Sequence, residues 1–203
     1  MKITLVLLLA AVFASCNNTG NTDQDDTDNS MKGPDTTTAH DTMPMADTSS
    51  QPLSASAQAV LSGTQADTTV TGKLSLDTLQ GGKVKMSLEL SVPKMANKTV
   101  AVHLHEHGDC GDAGKASHGH WNPGNKKHGK WGTGEFHSGD IGNVKLDGKG
   151  NGTMTMETDL WTLGGSYKTN VLKKAVIVHS GVDDYATQPT GNAGSRIGCG
   201  IIQ

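Results

Sequence analysis

Between positions 83 and 90 the chain alternates without interruption. Val84, Met86, Leu88 and Leu90 are apolar, and Lys83, Lys85, Ser87 and Glu89 are polar. A period of two marks a strand with one buried face. Gly81-Gly82 just before it is a hairpin signal, with Leu74 and Leu76 in the preceding strand. Residues 99–106 are β-branched and apolar in character and form another strand. Segments 141–147 and 153–158 flank a GKGNG turn, and 174–180 and 196–202 add two more. No long stretch carries a helical period. Several short strands joined by glycine-rich turns predict an all-β sandwich or barrel.

Ahead of this pattern the chain is of a different kind. Residues 1–16, MKITLVLLLAAVFASC, have a positive Lys2 and a short apolar run that is too short to span a bilayer, as in an export signal. The closing FASC resembles a bacterial lipobox, which makes Cys16 a lipidation candidate and the chain a membrane-anchored lipoprotein of a bacterial cell envelope. Asn17 is not the aspartate that commonly retains such proteins at the inner membrane, which points to the outer one. Residues 17–55 have almost no aliphatic or aromatic side chains and read as a disordered acidic tether. Its seven aspartates and one lysine hold the chain's acidity, whereas 56–203 carries fifteen Lys and Arg against thirteen Asp and Glu. His40, Met43 and Met45 in the tether are soft donors for Cu(I), although scattered Met and His are ordinary in linkers. Residues 56–203 are of ordinary size for one domain. Nothing in them interleaves basic and aromatic residues as a nucleic-acid surface does, and GTGEFH at 132–137 lacks the strand-turn-helix setting of a phosphate loop.

The candidate chemistry lies in the histidines. Of nine, six fall in one constellation with an aspartate: His103, His105, His120, His128, His137, Asp140 and His179. On a strand over 99–106, His103 and His105 point to the same face, half of a copper or zinc site. The others cluster in a Gly-, Pro-, Asn- and Lys-rich loop over 120–140, where histidines recur after eight and nine residues and Asp140 follows His137 by three. That loop has little apolar content, and coordination would give it a reason to be ordered. A single histidine is more often a surface group than a ligand, and it is the full set that carries the argument. His118, two residues before His120, competes for its place.

The segments HLHEHGDC (103–110), HWNP (120–123), KKHG (126–129), HSGDIGNV (137–144), VIVHSGVDD (176–184) and GNAGSRIGCGII (191–202) together resemble copper/zinc superoxide dismutase, in the order that family has them. The resemblance covers about 56–203. It implies an eight-stranded Greek-key β-sandwich or barrel with long metal-binding loops. It implies copper on His103, His105, His120 and His179, and zinc on His120, His128, His137 and Asp140, with His120 bridging. It further implies Asp183 as the carboxylate linking a copper histidine to a zinc histidine, Arg196 as the residue that positions the superoxide anion, and a Cys110–Cys199 disulfide. With Cys16 lipidated, those two are the remaining cysteines. The implied reaction is disproportionation of superoxide by Cu(II)/Cu(I) cycling, with His120 taking up a proton, and the family forms homodimers. The segment 180–195 is shorter than its counterpart in familiar eukaryotic enzymes and has no Lys or Arg, leaving Lys126, Lys127 or Lys130 to draw in the anion. The alternative reading is a non-catalytic protein of the same fold that stores or delivers metal.

Overall fold

The computed structural model describes residues 55–203. The export signal with Cys16, nearly all of the tether, and His40, Met43 and Met45 lie outside the described residues. Eight strands form one antiparallel sheet: β1 Ser56–Gly63, β2 Thr71–Thr78, β3 Val84–Ser91, β4 Thr99–His105, β5 Gly142–Lys145, β6 Asn151–Thr158, β7 Ala175–His179 and β8 Arg196–Ile201. Their order is β5-β4-β7-β8-β1-β2-β3-β6. The β3–β4 and β6–β7 connections cross between the two halves of this order, which makes a nearly closed Greek-key barrel. Its seam runs between β5 and β6, where a Cβ on Gly152 would stand 2.7 Å from Val144 and 2.8 Å from Leu146.

The period-two segment behaves as expected. Val84, Met86, Leu88 and Leu90 of β3 are buried, and Leu74 and Leu76 of β2 join them. The β2–β3 hairpin closes through Leu79 N–H to the Lys83 carbonyl, with Gly81 and Gly82 at φ +86° and +83°, where a side chain would be strained. Strand β1 has no counterpart in the sequence reading. Its buried face is Ala57, Ala59 and Leu61, and two alanines give too weak an apolar signal to stand out.

Strands β4 and β7 carry the site, and both of their faces are buried. Val100, Val102 and Leu104 of β4 and Val176 and Val178 of β7 fill the main core. The intervening Ala101, His103 and His105, with Ile177 and His179, face away from it. The register pairs Val102 with Val178 and His103 with Ile177, and a bulge between Val178 and His179 sets His179 opposite Arg196 of β8. The loops 106–141 and 180–195 cover this outer face. The first is not held by polar groups alone, as its composition suggested. Trp121 belongs to the core, and Trp131 packs edge-on against the fully buried Trp161, ring centroids 5.3 Å apart. Trp161 Nε1 in turn donates to the Ser138 carbonyl at 2.9 Å, so an aromatic cluster binds the loop to the barrel.

Cys110 and Cys199 form a disulfide, tying the segment after β4 to β8 across 89 residues. Closing so long a loop removes entropy worth about 4–5 kcal/mol from the unfolded chain as an upper limit. Replacing both cysteines by serine should lower the urea-unfolding free energy by about 2–4 kcal/mol, and an unchanged unfolding midpoint would contradict that role.

Candidate metal centre

The seven constellation residues converge. The nitrogens of His103, His105, His120 and His179 form one buried set, and His120, His128, His137 and Asp140 form a second. Within each set the donor atoms lie within 4.8 Å of one another. Backbone pairing explains how distant segments meet. The 118–122 segment docks on the end of β4 through Trp121 N–H to Leu104 O (2.8 Å) and Glu106 N–H to Gly119 O (3.0 Å). That places the His120 ring 4.0 Å from that of His103 and 5.1 Å from that of His105. Gly139 then pairs with both Leu104 and Trp121, which brings the His137–Asp140 turn against the same strand.

Each of these imidazoles except His120 has one ring nitrogen held by a group outside the two sets. His105 Nδ1 donates to His118 O at 2.8 Å, His137 Nε2 to Lys126 O at 3.0 Å and His179 Nδ1 to Gly194 O at 3.3 Å. His103 Nε2 and His128 Nε2 meet the two oxygens of Asp183 at 2.8 and 2.9 Å. Donation to these acceptors fixes the orientation of each ring and turns its other nitrogen into the sets. Those other nitrogens, together with His120 Nε2, are buried and have no hydrogen-bond partner. His128 Nδ1 and His137 Nδ1 lie 3.0 and 3.2 Å from Asp140 oxygens without the alignment of a hydrogen bond. Only His120 faces both sets, with Nδ1 on Asp140 Oδ1 at 2.8 Å and Nε2 turned to the other cluster. Six unpartnered buried nitrogens beside one buried carboxylate fit two metal ions sharing an imidazole. An all-imidazole set suits copper, and three imidazoles with a carboxylate suit zinc.

Electrostatics separates the two sets. Burial, with the charge of neighbouring imidazoles and of Arg196, pushes His105 down to about 2 and His179 down to about 3, so both rings stay neutral. Burial also takes His120 down to about 4 against the pull of Asp140. Burial disfavours charge on His128 too, but Asp140 and Asp183 beside it outweigh this and raise it to about 9. Burial would raise both carboxyls, and their histidine partners instead hold Asp140 and Asp183 below the usual carboxylate range. The second set thus contains an ionised carboxylate and the first contains none.

Arg196 is half-buried at the edge of the first set. Its Nη1 donates to Gly114 O and to Ser117 Oγ at 2.6 and 3.1 Å, and its Nη2 to His118 O at 2.6 Å. These acceptors lie in and just after the short 3-10 segment Asp112–Ser117, which begins two residues beyond the disulfide at Cys110. His118, the competitor for the place of His120, contributes only its carbonyl, and its exposed ring joins neither buried set. Of the expected steering lysines, Lys126 and Lys130 hold their ammonium groups over the Phe136 and Tyr185 rings, at 5.7 and 5.9 Å.

Three supporting residues escaped the sequence reading. Gln188 clamps His128 in both directions, accepting from its N–H and donating to its carbonyl, each at 2.9 Å. Asn143 clamps the Asp183 backbone in the same two-way manner at 2.9 Å. Gly191, at φ +69°, passes so close to the Asp183–His128 contact that a Cβ would collide with both side chains. Gly191 and Asn143 lie inside recognisable segments, GNAGSR and HSGDIGNV. Gln188 has no local signal.

A family model described as copper/zinc superoxide dismutase matches residues 70–202. A copper/zinc superoxide dismutase of Aquifex aeolicus (strain VF5) is 37% identical over 139 residues, 66% of this chain and 80% of its own. One from Talaromyces marneffei is 37% identical over 113 residues, 53% of this chain and 72% of its own. A crystal structure described as that of the clock protein EA4 superimposes with a TM-score of 0.64 at 30% identity, covering 73% of this chain and 94% of that one.

The pKa shifts predict a stability optimum for the metal-free protein. His128, raised to about 9, contributes stability that is complete below the unfolded value of about 6.5 and is lost as pH rises through 9. His105, His120 and His179, all lowered, contribute stability that is complete above about 6.5 and is lost as pH falls toward their folded values. Urea midpoints of chelator-stripped protein should therefore peak between about pH 6.5 and 8 and decline on both sides. A steady rise to pH 10 would contradict the assignment for His128.

Proposed function

The chain belongs to the copper/zinc superoxide dismutase family, and we propose that its two buried sets divide the metals, with copper on His103, His105, His120 and His179 and zinc on His120, His128, His137 and Asp140. The protein is an oxidoreductase that converts two superoxide ions and two protons to dioxygen and hydrogen peroxide. The observation that carries the division is His120, whose Nδ1 faces the carboxylate-bearing set and whose Nε2 faces the all-imidazole set. Copper, when bound, supplies the one-electron exchange that oxidises one superoxide and reduces the next. His120 Nε2 would be the atom that holds a proton for the peroxide product, because Nδ1 is engaged toward Asp140. Asp183 holds His103 and His128 by its two oxygens, so the sets keep a fixed spacing while that proton moves.

Arg196 draws in the anion. Its guanidinium is pinned by three acceptors on the 114–118 segment, and a fixed fork orients a small anion better than a mobile ammonium does. Arg196→Ala should retain both metals yet slow superoxide decay roughly ten- to hundredfold at matched copper content, the loss of one charged hydrogen bond at about 1.5–3 kcal/mol. Arg196→Lys should recover part of the rate, and added salt should slow the wild type. Equal decay rates for wild type and Arg196→Ala would favour the metal-carrier reading instead.

We further read the chain as an envelope lipoprotein whose domain is tethered through a lipidated Cys16, on the strength of the FASC motif and the polar segment behind it, and as a partner in a homodimer. Mass spectrometry of the mature N-terminus should find acylated Cys16 as the first residue. An unmodified start downstream of Cys16 would overturn the anchor.

A further inference from the structure

Among the described residues one more group of ligating side chains converges. The donor atoms of Glu106, His107 and His118 lie within 4.8 Å of one another, and all three residues are exposed. The His107 and His118 rings meet edge to face with centroids 4.4 Å apart. They arrive from two segments that the backbone holds side by side, through Glu106 N–H to Gly119 O at 3.0 Å and His107 N–H to Ser117 O at 3.2 Å. The stems are therefore fixed while the side-chain tips stay free to turn. Neither buried set uses these three side chains.

The backbone of His118 adds a second observation. It stands at φ +62°, ψ −143°, a conformation that glycine adopts readily and a residue with a Cβ seldom does. The structural work of this position needs only its backbone: the carbonyl accepts from His105 Nδ1 and Arg196 Nη2, and the N–H donates to Lys115 O at 3.0 Å. Glycine would do that work without strain. The imidazole at this site is thus carried against a backbone cost and is not used in the core.

We propose that Glu106, His107 and His118 form a third, solvent-exposed site for a divalent transition-metal ion. Two imidazoles and a carboxylate are a donor set for zinc, cobalt or copper(II), with the remaining positions left to water. Bonds of about 2.0–2.2 Å need the three donors to close to roughly 3.3 Å, which exposed side chains reach by rotation. Asp109 shares the surface hollow of His107 and His118 and adds negative charge. Lys173 lines the same hollow and opposes it, while Lys174 is engaged with the Glu106 carbonyl at 3.0 Å. The site lies one backbone segment from the copper set, because His107 follows His105 by two residues and His118 precedes His120 by two.

The test uses the full-length protein already loaded with one copper and one zinc. Zn(II) is titrated in by calorimetry, and Co(II) in parallel by visible absorbance. The expected result is one further equivalent of either ion, with a cobalt d–d spectrum that saturates at that ratio. His107→Gln and His118→Gly should each weaken this binding at least tenfold, and the double variant should abolish it, with copper and zinc contents unchanged. His118→Gly suits the observed backbone, so this variant should fold with an undiminished thermal midpoint. Absence of a third equivalent in the wild type would overturn the proposal, as would equally tight binding in the double variant, which would place the ion elsewhere on the chain. Neither result bears on superoxide removal, so failure here is distinguishable from failure of the catalytic assignment.

Discussion

Six buried ring nitrogens without a hydrogen-bond partner set the condition that the rest of this molecule meets. Each such atom costs about 1–3 kcal/mol when left unsatisfied, and all six lie within two adjoining sets of donors. An apolar replacement would be cheaper if only stability mattered. Coordination of two metal ions would remove the cost by giving each of these nitrogens a partner. The held nitrogens on the far sides of five rings are what make this arrangement specific. They fix the orientation of each ring, and Asp183 joins one ring of each set to a single carboxylate whose backbone is locked by Asn143.

Around this centre the barrel supplies rigidity in an uncommon way, because its site-bearing strands are covered on both faces. The inner residues of β4 and β7 are packed apolar core, so His103, His105 and His179 project from a surface that does not give. The loops that complete the ligand sets are held by three different forces: ladder-like pairing of the His120 segment with Leu104 and Glu106, aromatic packing of Trp131 on Trp161, and the Cys110–Cys199 bond. Through the last of these, the segment that clamps the Arg196 guanidinium is tied to β8, the strand that bears Arg196. The His118 carbonyl serves Arg196 and His105 together, so the half-buried guanidinium and an imidazole of the first set share one anchor.

Much of this was open to reading in the chain itself. Alternation in β3 follows from a strand whose outer face is wet, and any such strand declares its period. The i, i+2 spacing of His103 and His105 is a property of extended backbone, so their common face needed no tertiary knowledge. The candidate ligands and Arg196 stood out because rare side chains recur in motifs with a known order. Strand β1 was silent because alanine carries little hydrophobic signal. The loop reads as too polar to pack because Trp121 and Trp131 are diluted among glycines and lysines. Gln188 was invisible because a two-way clamp between residues 60 apart leaves no local trace.

The sequence by itself therefore determined the fold class, the pool of ligand residues and the chemistry that their donor types allow, since periodicity and side-chain identity are local properties. Only the tertiary structure decided which nitrogen of each imidazole is free, that His120 and not His118 stands between the two sets, and that Glu106, His107 and His118 meet at the surface. Those outcomes depend on the direction of a ring and the distance between segments, and both are set by packing and backbone pairing among residues far apart in the chain.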